Sequence, residues 1–266
     1  MPTINAKDVM SLRNKTGLAM MECKKALVEA DGDPERAEDL LRKKLKGKME
    51  TRTDRVAGEG RVDVATSDGK GVIVEIRAET DFTAKNDKFV EATTAIANAA
   101  LAQATGSFEP GDEGKALVDD LRISTGENIS FARGEVLEGG TFGSYVHFDG
   151  KTAVLIQADQ GADQQVLKDV CMHIAAAVPT PVGVTPDDIP AEVVERERKF
   201  RIEQAVESGK PQEIAEKMVE GGMRKFFGEV ALLEQPFVKD PSKSIKEVLG
   251  GTGVQAFRRW RVGEQA

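Results

Sequence analysis

Few residues in this chain have types and spacings suited to chemistry. There are two histidines, two cysteines, one tryptophan and one tyrosine. His147 falls on a strand-like segment, and His173 sits between Met172 and Ile174 in a helix-like one. Neither has a serine, cysteine or carboxylate placed as a nucleophile–base–acid triad requires, and His173 reads as a structural histidine. Cys23 and Cys171 are isolated in helical patterns, which points to two buried thiols in a reducing compartment rather than a disulfide or metal site. H-E-x-x-H and paired C-x-x-C are absent, so zinc lacks a ligand set. Gly111-Asp112-Glu113-Gly114-Lys115-Ala116 is misspaced for a phosphate loop, with no hydroxyl after the lysine. Gly250-Gly251-Thr252-Gly253 lacks the strand that a nucleotide fingerprint needs. Carboxylates are plentiful, but none is singled out. The expectation is a protein with no cofactor or metal of its own that works by contact.

One stretch draws attention as a contact. Val72-Ile73-Val74-Glu75-Ile76 reads as a strand, and Arg77-Ala78-Glu79-Thr80-Asp81-Phe82-Thr83-Ala84-Lys85-Asn86-Asp87 follows it, polar except for one phenylalanine beside an aspartate. Taken locally, Asp81 can cap a turn and Phe82 can staple it to the fold. Otherwise Phe82 reaches into another molecule.

The formal net charge over 266 residues is −8, whereas nucleic-acid binders carry a positive surplus to neutralise phosphates. The basic cluster Arg42-Lys43-Lys44-Leu45-Lys46-Gly47-Lys48 suits a helix C-terminus. Aromatics are too scarce for a base-stacking platform, so no direct nucleic-acid contact is expected. No run of ~18 apolar residues offers a membrane span. The start lacks a secretory pattern. The expected location is the cytoplasm, although a processed organellar protein would read the same.

The elements that must position these residues follow from periodicity and punctuation. Asn5 caps a first helix in which Val9 and Leu12 share a face, and Thr16-Gly17 ends it. Cys23, Ala26, Leu27 and Ala30 mark a second. Asp31-Gly32-Asp33-Pro34 stops it and starts a third, which buries Ala37, Leu40 and Leu41, with Leu45 an outlying candidate. This helical unit, 1–47, is small and should lean on a neighbour; 48–57 reads as a linker. Strands at Gly60–Ala65 and Val72–Ala78 flank the hairpin turn Ser67-Asp68-Gly69-Lys70-Gly71. Helices from about Asp87 to Ala104 and Glu113 to Ser124, then a strand at Ile129–Leu137, complete a unit over 58–140.

The pattern then recurs. Ser144–Phe148 and Ala153–Asp159 form a second hairpin, and Val154-Leu155-Ile156-Gln157-Ala158-Asp159 echoes Val74-Glu75-Ile76-Arg77-Ala78-Glu79. A helix from about Asp163 to Val178 follows. Two related α+β subdomains are expected, the second built from 141–188 and 229–266. A protruding antiparallel helical hairpin at 189–228 interrupts it. Its turn is Ser208-Gly209-Lys210-Pro211, and Ile214, Met218, Gly222 and Phe226 share a seam. A short helix at Ser244–Leu249 and a strand at Val254–Val262 close the second sheet. The fold class is α+β.

Three motifs carry a family resemblance. The segment from Leu12-Arg13-Asn14-Lys15-Thr16-Gly17 through Met20-Met21-Glu22-Cys23-Lys24-Lys25-Ala26-Leu27 resembles the opening helix pair of the elongation factor Ts family, LRxxTGAGMMDCKKAL. Thr80-Asp81-Phe82-Thr83-Ala84-Lys85-Asn86 is similar to its TDFVA(R/K)N. Glu213-Ile214-Ala215-Glu216-Lys217-Met218-Val219-Glu220-Gly221, followed by Gln235-Pro236-Phe237-Val238, resembles its IAEKMVEGR…QPFV. Order and spacing match across essentially the whole chain. The resemblance implies a guanine-nucleotide exchange factor of elongation factor Tu, binding its GDP-loaded and nucleotide-free forms. It also implies a ubiquitin-associated-like N-terminal domain, a two-subdomain core and a coiled-coil hairpin.

By the same resemblance, Thr80, Asp81, Phe82 and Thr83 dislodge the partner's Mg²⁺. Leu12, Arg13, Met20 and Met21 dock on its G domain, and His147, in the G-S-Y-x-H position, touches it from the second subdomain. For Leu12, Met20 and Met21 a core role competes with contact. Family members differ in oligomeric state, so a homodimer or a 2:2 complex stays open. The rival from another class is a ubiquitin-associated-type adaptor or ribosome-associated holdase. The sequence departs from the family at Thr83, where valine is usual, at Leu18-Ala19 in place of Ala-Gly, and along the linker.

Overall fold

Caps and breakers set most element boundaries. The computed structural model describes residues 4–50, 54–209 and 211–264, those of 45–50 as backbone only. Leu45 as a core residue, the Lys46 and Lys48 end of the basic cluster, linker residues 51–53 and Lys210 of the hairpin turn lie outside the described residues.

Three helices come first: α1 (Ala6–Thr16), α2 (Met20–Glu29) and α3 (Pro34–Glu50). The Asn5 side chain caps α1 by accepting from the Lys7 N–H, and Gly17 closes it at φ 74°, a conformation that penalises any Cβ. α3 runs on to Glu50, past the expected boundary at 47, because Lys48, Met49 and Glu50 are good helix formers. The three helices enclose Leu12, Cys23, Leu27 and Leu41, and Ile123 of the adjoining unit packs on that cluster. The small helical unit thus leans on a neighbour.

That neighbour comprises β1 (Glu59–Ser67), β2 (Lys70–Ala78), α4 (Asp81–Ala84), α5 (Asp87–Ala100), β3 (Gly106–Ser107), α6 (Asp112–Thr125) and β4 (Ser130–Glu138). Its antiparallel sheet has the order β1-β2-β4-β3. α5 stops a turn short of Ala104 as the chain bends into β3. β5 (Thr141–Val146), β6 (Thr152–Ala158) and α7 (Gln164–Ala176) follow, then the helix pair α8 (Ala191–Glu207) and α9 (Gln212–Val230). The chain closes with β7 (Pro236–Phe237), β8 (Asp240–Ser244), α10 (Ile245–Leu249) and β9 (Val254–Arg261). β9 joins β5 and β6 in a second antiparallel sheet, order β5-β6-β9. The small β7–β8 ribbon has no signal in the sequence pattern.

Side-chain alternation builds four layers. Val72, Val74 and Ile76 face α5 and α6, while Ile73, between the first two, faces Phe142, Ala153 and Leu155 of the other sheet. Val154 and Ile156 point the other way, onto α7. Strands buried on both faces need apolar residues at nearly every position, which is why β2 and β6 read as unbroken apolar runs. The buried polar exceptions are Gln157 and, carrying a charge, Glu75, which is 1% exposed. Glu75 accepts from Arg133 Nε at 2.7 Å, Arg77 Nη1 at 2.9 Å and the Gly263 N–H at 2.9 Å. A buried carboxylate is tolerated only with such partners.

Where α8 and α9 pack, Gly222 lets Arg201 approach, and Ala205 and Met223 are buried. Ile214, expected on the seam, is exposed instead, while Ala215, Met218 and Met223 of the same helix are more covered. His173 is satisfied within the second unit. Its Nδ1 accepts the Val238 N–H at 3.2 Å, so Nε2 carries the proton that goes to Gln235 Oε1 at 2.9 Å. Among the described residues, no helix is long and apolar enough to cross a membrane.

Candidate protein-docking site

The segment after β2 is held in place from behind. Thr80 is the N-cap of α4, its hydroxyl accepting the Thr83 N–H at 3.3 Å. Asp81 is therefore the first helical residue and not the cap. It faces the positive end of the turn and pairs with Lys85 Nζ at 2.7 Å, one turn on. That hydrogen bond is the main cause holding the Asp81 carboxyl below its ordinary pKa, and it raises that of Lys85.

Thr83 and Ala84 are buried against the body of the protein. At about 100° per residue, their bisector leaves Phe82 roughly 150° away, pointing outward. Phe82 is accordingly 85% exposed. The staple reading of this residue fails here, because its ring packs on nothing in its own chain that hides it.

A clasp secures this turn. The Glu127 carboxylate, on the segment leaving α6, accepts the Glu79 and Thr80 N–H groups at 3.1 Å each through Oε2. Its Oε1 accepts the Thr80 and Thr83 hydroxyls at 2.6 and 2.7 Å. Glu79 reciprocates by accepting the Asn128 N–H at 2.6 Å. Thr83, the departure from the family's valine, thus supplies a hydroxyl that is used. Sequence reasoning missed Glu127. No local pattern could link it to a turn 47 positions earlier.

The β5–β6 turn stands beside this tip. The Val62 N–H of β1 donates to Gly150 O at 2.8 Å, tying the turn to the strand on which α4 also packs. Gly150 sits at φ 69° with Arg61 where a Cβ would be, so glycine is needed twice over. His147 is partly exposed. Its Nδ1 lies 3.0 Å from Asp149 Oδ1, and its ring centroid is 4.5 Å from that of Phe148. Burial opposes the Asp149 carboxylate, but His147 and the Lys151 N–H outweigh it and hold the pKa below the ordinary value. Lys151 pairs with Glu59 at 2.6 Å. Its charge also reaches Asp81, and those of Glu59 and Asp149 reach Lys85. The two units therefore meet at one face, with Asp81 and Phe82 from one and His147 from the other.

The N-terminal candidates divide. Leu12 is 3% exposed inside the three-helix core, which corrects its expected role as a contact residue. It lies on the face of α1 turned toward α2 and α3. Arg13 is exposed. Met20 and Met21, opening α2, are exposed, Met21 at 61%. α6 links this patch to the tip: Ser124 lies behind Gly17, Asp120 pairs with Arg42 of α3 at 3.1 Å, and Glu127 follows on.

A family model described as Elongation factor TS matches residues 79–264. An elongation factor Ts of Photobacterium profundum is 43% identical over 270 residues, covering 99% of this chain and 93% of that protein. An elongation factor Ts of Yersinia pestis (strain Pestoides F) is 46% identical over 272 residues, with 99% and 93% covered. One of Idiomarina loihiensis is 43% identical, with 98% and 91% covered.

Proposed function

The chain belongs to the elongation factor Ts family, and from that premise we propose how its surface performs nucleotide exchange on elongation factor Tu in translation elongation. It acts by binding, without covalent chemistry. The carrying observation is Phe82, exposed on a turn whose backbone is clamped from behind. GDP is held largely through phosphate contacts and Mg²⁺, so a wedge that displaces backbone and metal ligands weakens it steeply. Thr80, Asp81, Phe82 and Thr83 form that wedge, and Asp81 brings negative charge to a cation site. Arg13, Met20, Met21 and His147 supply further contact, with the methionines offering an adaptable apolar surface. Linkage makes the effect reciprocal: tight GTP binding expels the factor.

The first three helices are read as a ubiquitin-associated-like domain, and the two sheet-and-helix units as related halves of a core. The α8–α9 pair is read as a coiled-coil hairpin reaching a further face of the partner. The chain works in the cytoplasm, alone or as a homodimer or 2:2 complex.

Release of fluorescent GDP from loaded elongation factor Tu tests this directly. Micromolar factor is expected to accelerate release, and Phe82→Ala to raise the half-saturating concentration by one to two decades, the worth of one buried phenyl ring. The variant's thermal unfolding should be unchanged. Unaltered release with the unsubstituted chain, alongside binding to unfolded polypeptides, would move the function to the adaptor or holdase class.

A further inference from the structure

Phe148 is 91% exposed at the apex of the β5–β6 turn, more so than Phe82. Exposed phenylalanines on mobile loops are commonplace, but this turn is built. The His147 N–H donates to Thr152 O and the Gly150 N–H to His147 O, both at 2.8 Å. The Lys151 N–H donates to Asp149 Oδ1 at 2.8 Å. The ring lies against that of His147, which Asp149 orients. The apex is tethered to β1 through Val62 and Gly150, so it cannot swing away from α4 without breaking that bond. A large apolar side chain held outward this firmly, with nearly all of its surface uncovered, is arranged for another molecule.

We infer that Phe148 is a second apolar prong, entering the same elongation factor Tu molecule as Phe82 and fixing the angle at which the wedge approaches. This rests on the exchange reading above. The occupant is assigned by continuity: Gly150 and Lys151 of this turn are bonded to Val62 and Glu59 of β1, the strand on which α4 packs, so whatever covers the tip comes close to this turn. Two prongs from two sheets define an orientation where a single ring defines only a point. Burial of a second phenyl ring also supplies free energy that Phe82 alone lacks.

The test uses the full chain as wild type, Phe82→Ala, Phe148→Ala, Phe148→Leu and the double alanine variant. Readouts are GDP release and binding to nucleotide-free elongation factor Tu. Phe148→Ala is expected to weaken binding about tenfold with unchanged thermal unfolding, and Phe148→Leu to recover most of the loss. A wild type and Phe82→Ala that behave as above, with Phe148→Ala within twofold of wild type, would overturn the second prong and leave the exchange reading intact. A wild type without exchange activity would overturn both.

Discussion

Glu127 offers the sharpest test of how the wedge is held. Its two carboxylate oxygens take two backbone N–H groups and two hydroxyls of the segment carrying Phe82. Hydrogen bonds to a charged acceptor are worth about 1.5–3 kcal/mol each when buried. Here Thr80 is exposed and Glu127 only half-buried, so water replaces much of what is lost. A net loss of about 2 kcal/mol in local order is a reasonable figure for Glu127→Ala. The rise in half-saturating concentration cannot exceed that loss, which caps it at roughly thirtyfold. It should reach at least threefold if the tip then spends most of its time disordered. The exchange rate at saturation should fall much less, because the partner reorders the tip on binding.

Glu127→Gln should lie between wild type and alanine. Its amide can turn toward the two hydroxyls, which rotate to accept, while its oxygen keeps the two N–H groups. Stopped-flow GDP release gives both parameters, and amide hydrogen exchange over 79–84 reports the local order. An alanine variant with half-saturation within twofold of wild type and unchanged protection at 79–84 would refute the clasp. So would a loss appearing only in global unfolding.

The N-terminal patch and the buried histidine yield further predictions. Leu12→Ala should cost about 2–5 kcal/mol of stability, as other buried leucines do, whereas Met21→Ala should change the urea midpoint little and weaken partner binding. The reverse pattern would place Leu12 at the interface. Burial pushes the His173 imidazole below its ordinary 6.5, against the opposing Gln235 hydrogen bond. Between that lowered value and 6.5 the unfolded chain takes up the proton and the folded chain does not. Stability is therefore unaffected above pH 6.5 and declines as pH falls below it, by at most about 1.4 kcal/mol per pH unit. Urea unfolding at pH 7.5 and 5.5 should show a larger drop for wild type than for His173→Gln; His147 is present in both, so the difference isolates His173. Equal drops would refute it.

Much of the fold was legible because it is written in local terms. Asn5 and Gly17 bracket α1 by hydrogen bonding and left-handed φ. The Ser67-Asp68-Gly69-Lys70 turn joins the alternating segment and the apolar run that became β1 and β2. α8 and α9 are separated by the Ser208-Gly209 break. Periodicity failed where elements are too short to show any, as in the four-residue α4 and the two-residue β7. It also failed over which face turns inward: Leu12 and Met21 are both apolar at helical spacing, yet one is core and the other surface.

By itself the sequence determined the fold class, the family motifs and the absence of a nucleotide loop, because caps, turns and alternation act over a few residues. Only the tertiary structure decided that Glu127 grips Thr80, that Glu75 finds Arg133 and the Gly263 N–H between sheets, and that the β5–β6 turn rises beside Phe82. Those partners are far apart along the chain: Glu75 meets Arg133 once β2 pairs with β4, Glu127 reaches Thr80 once α6 packs on that sheet, and Gly263 and the β5–β6 turn arrive only when the second sheet packs on the first.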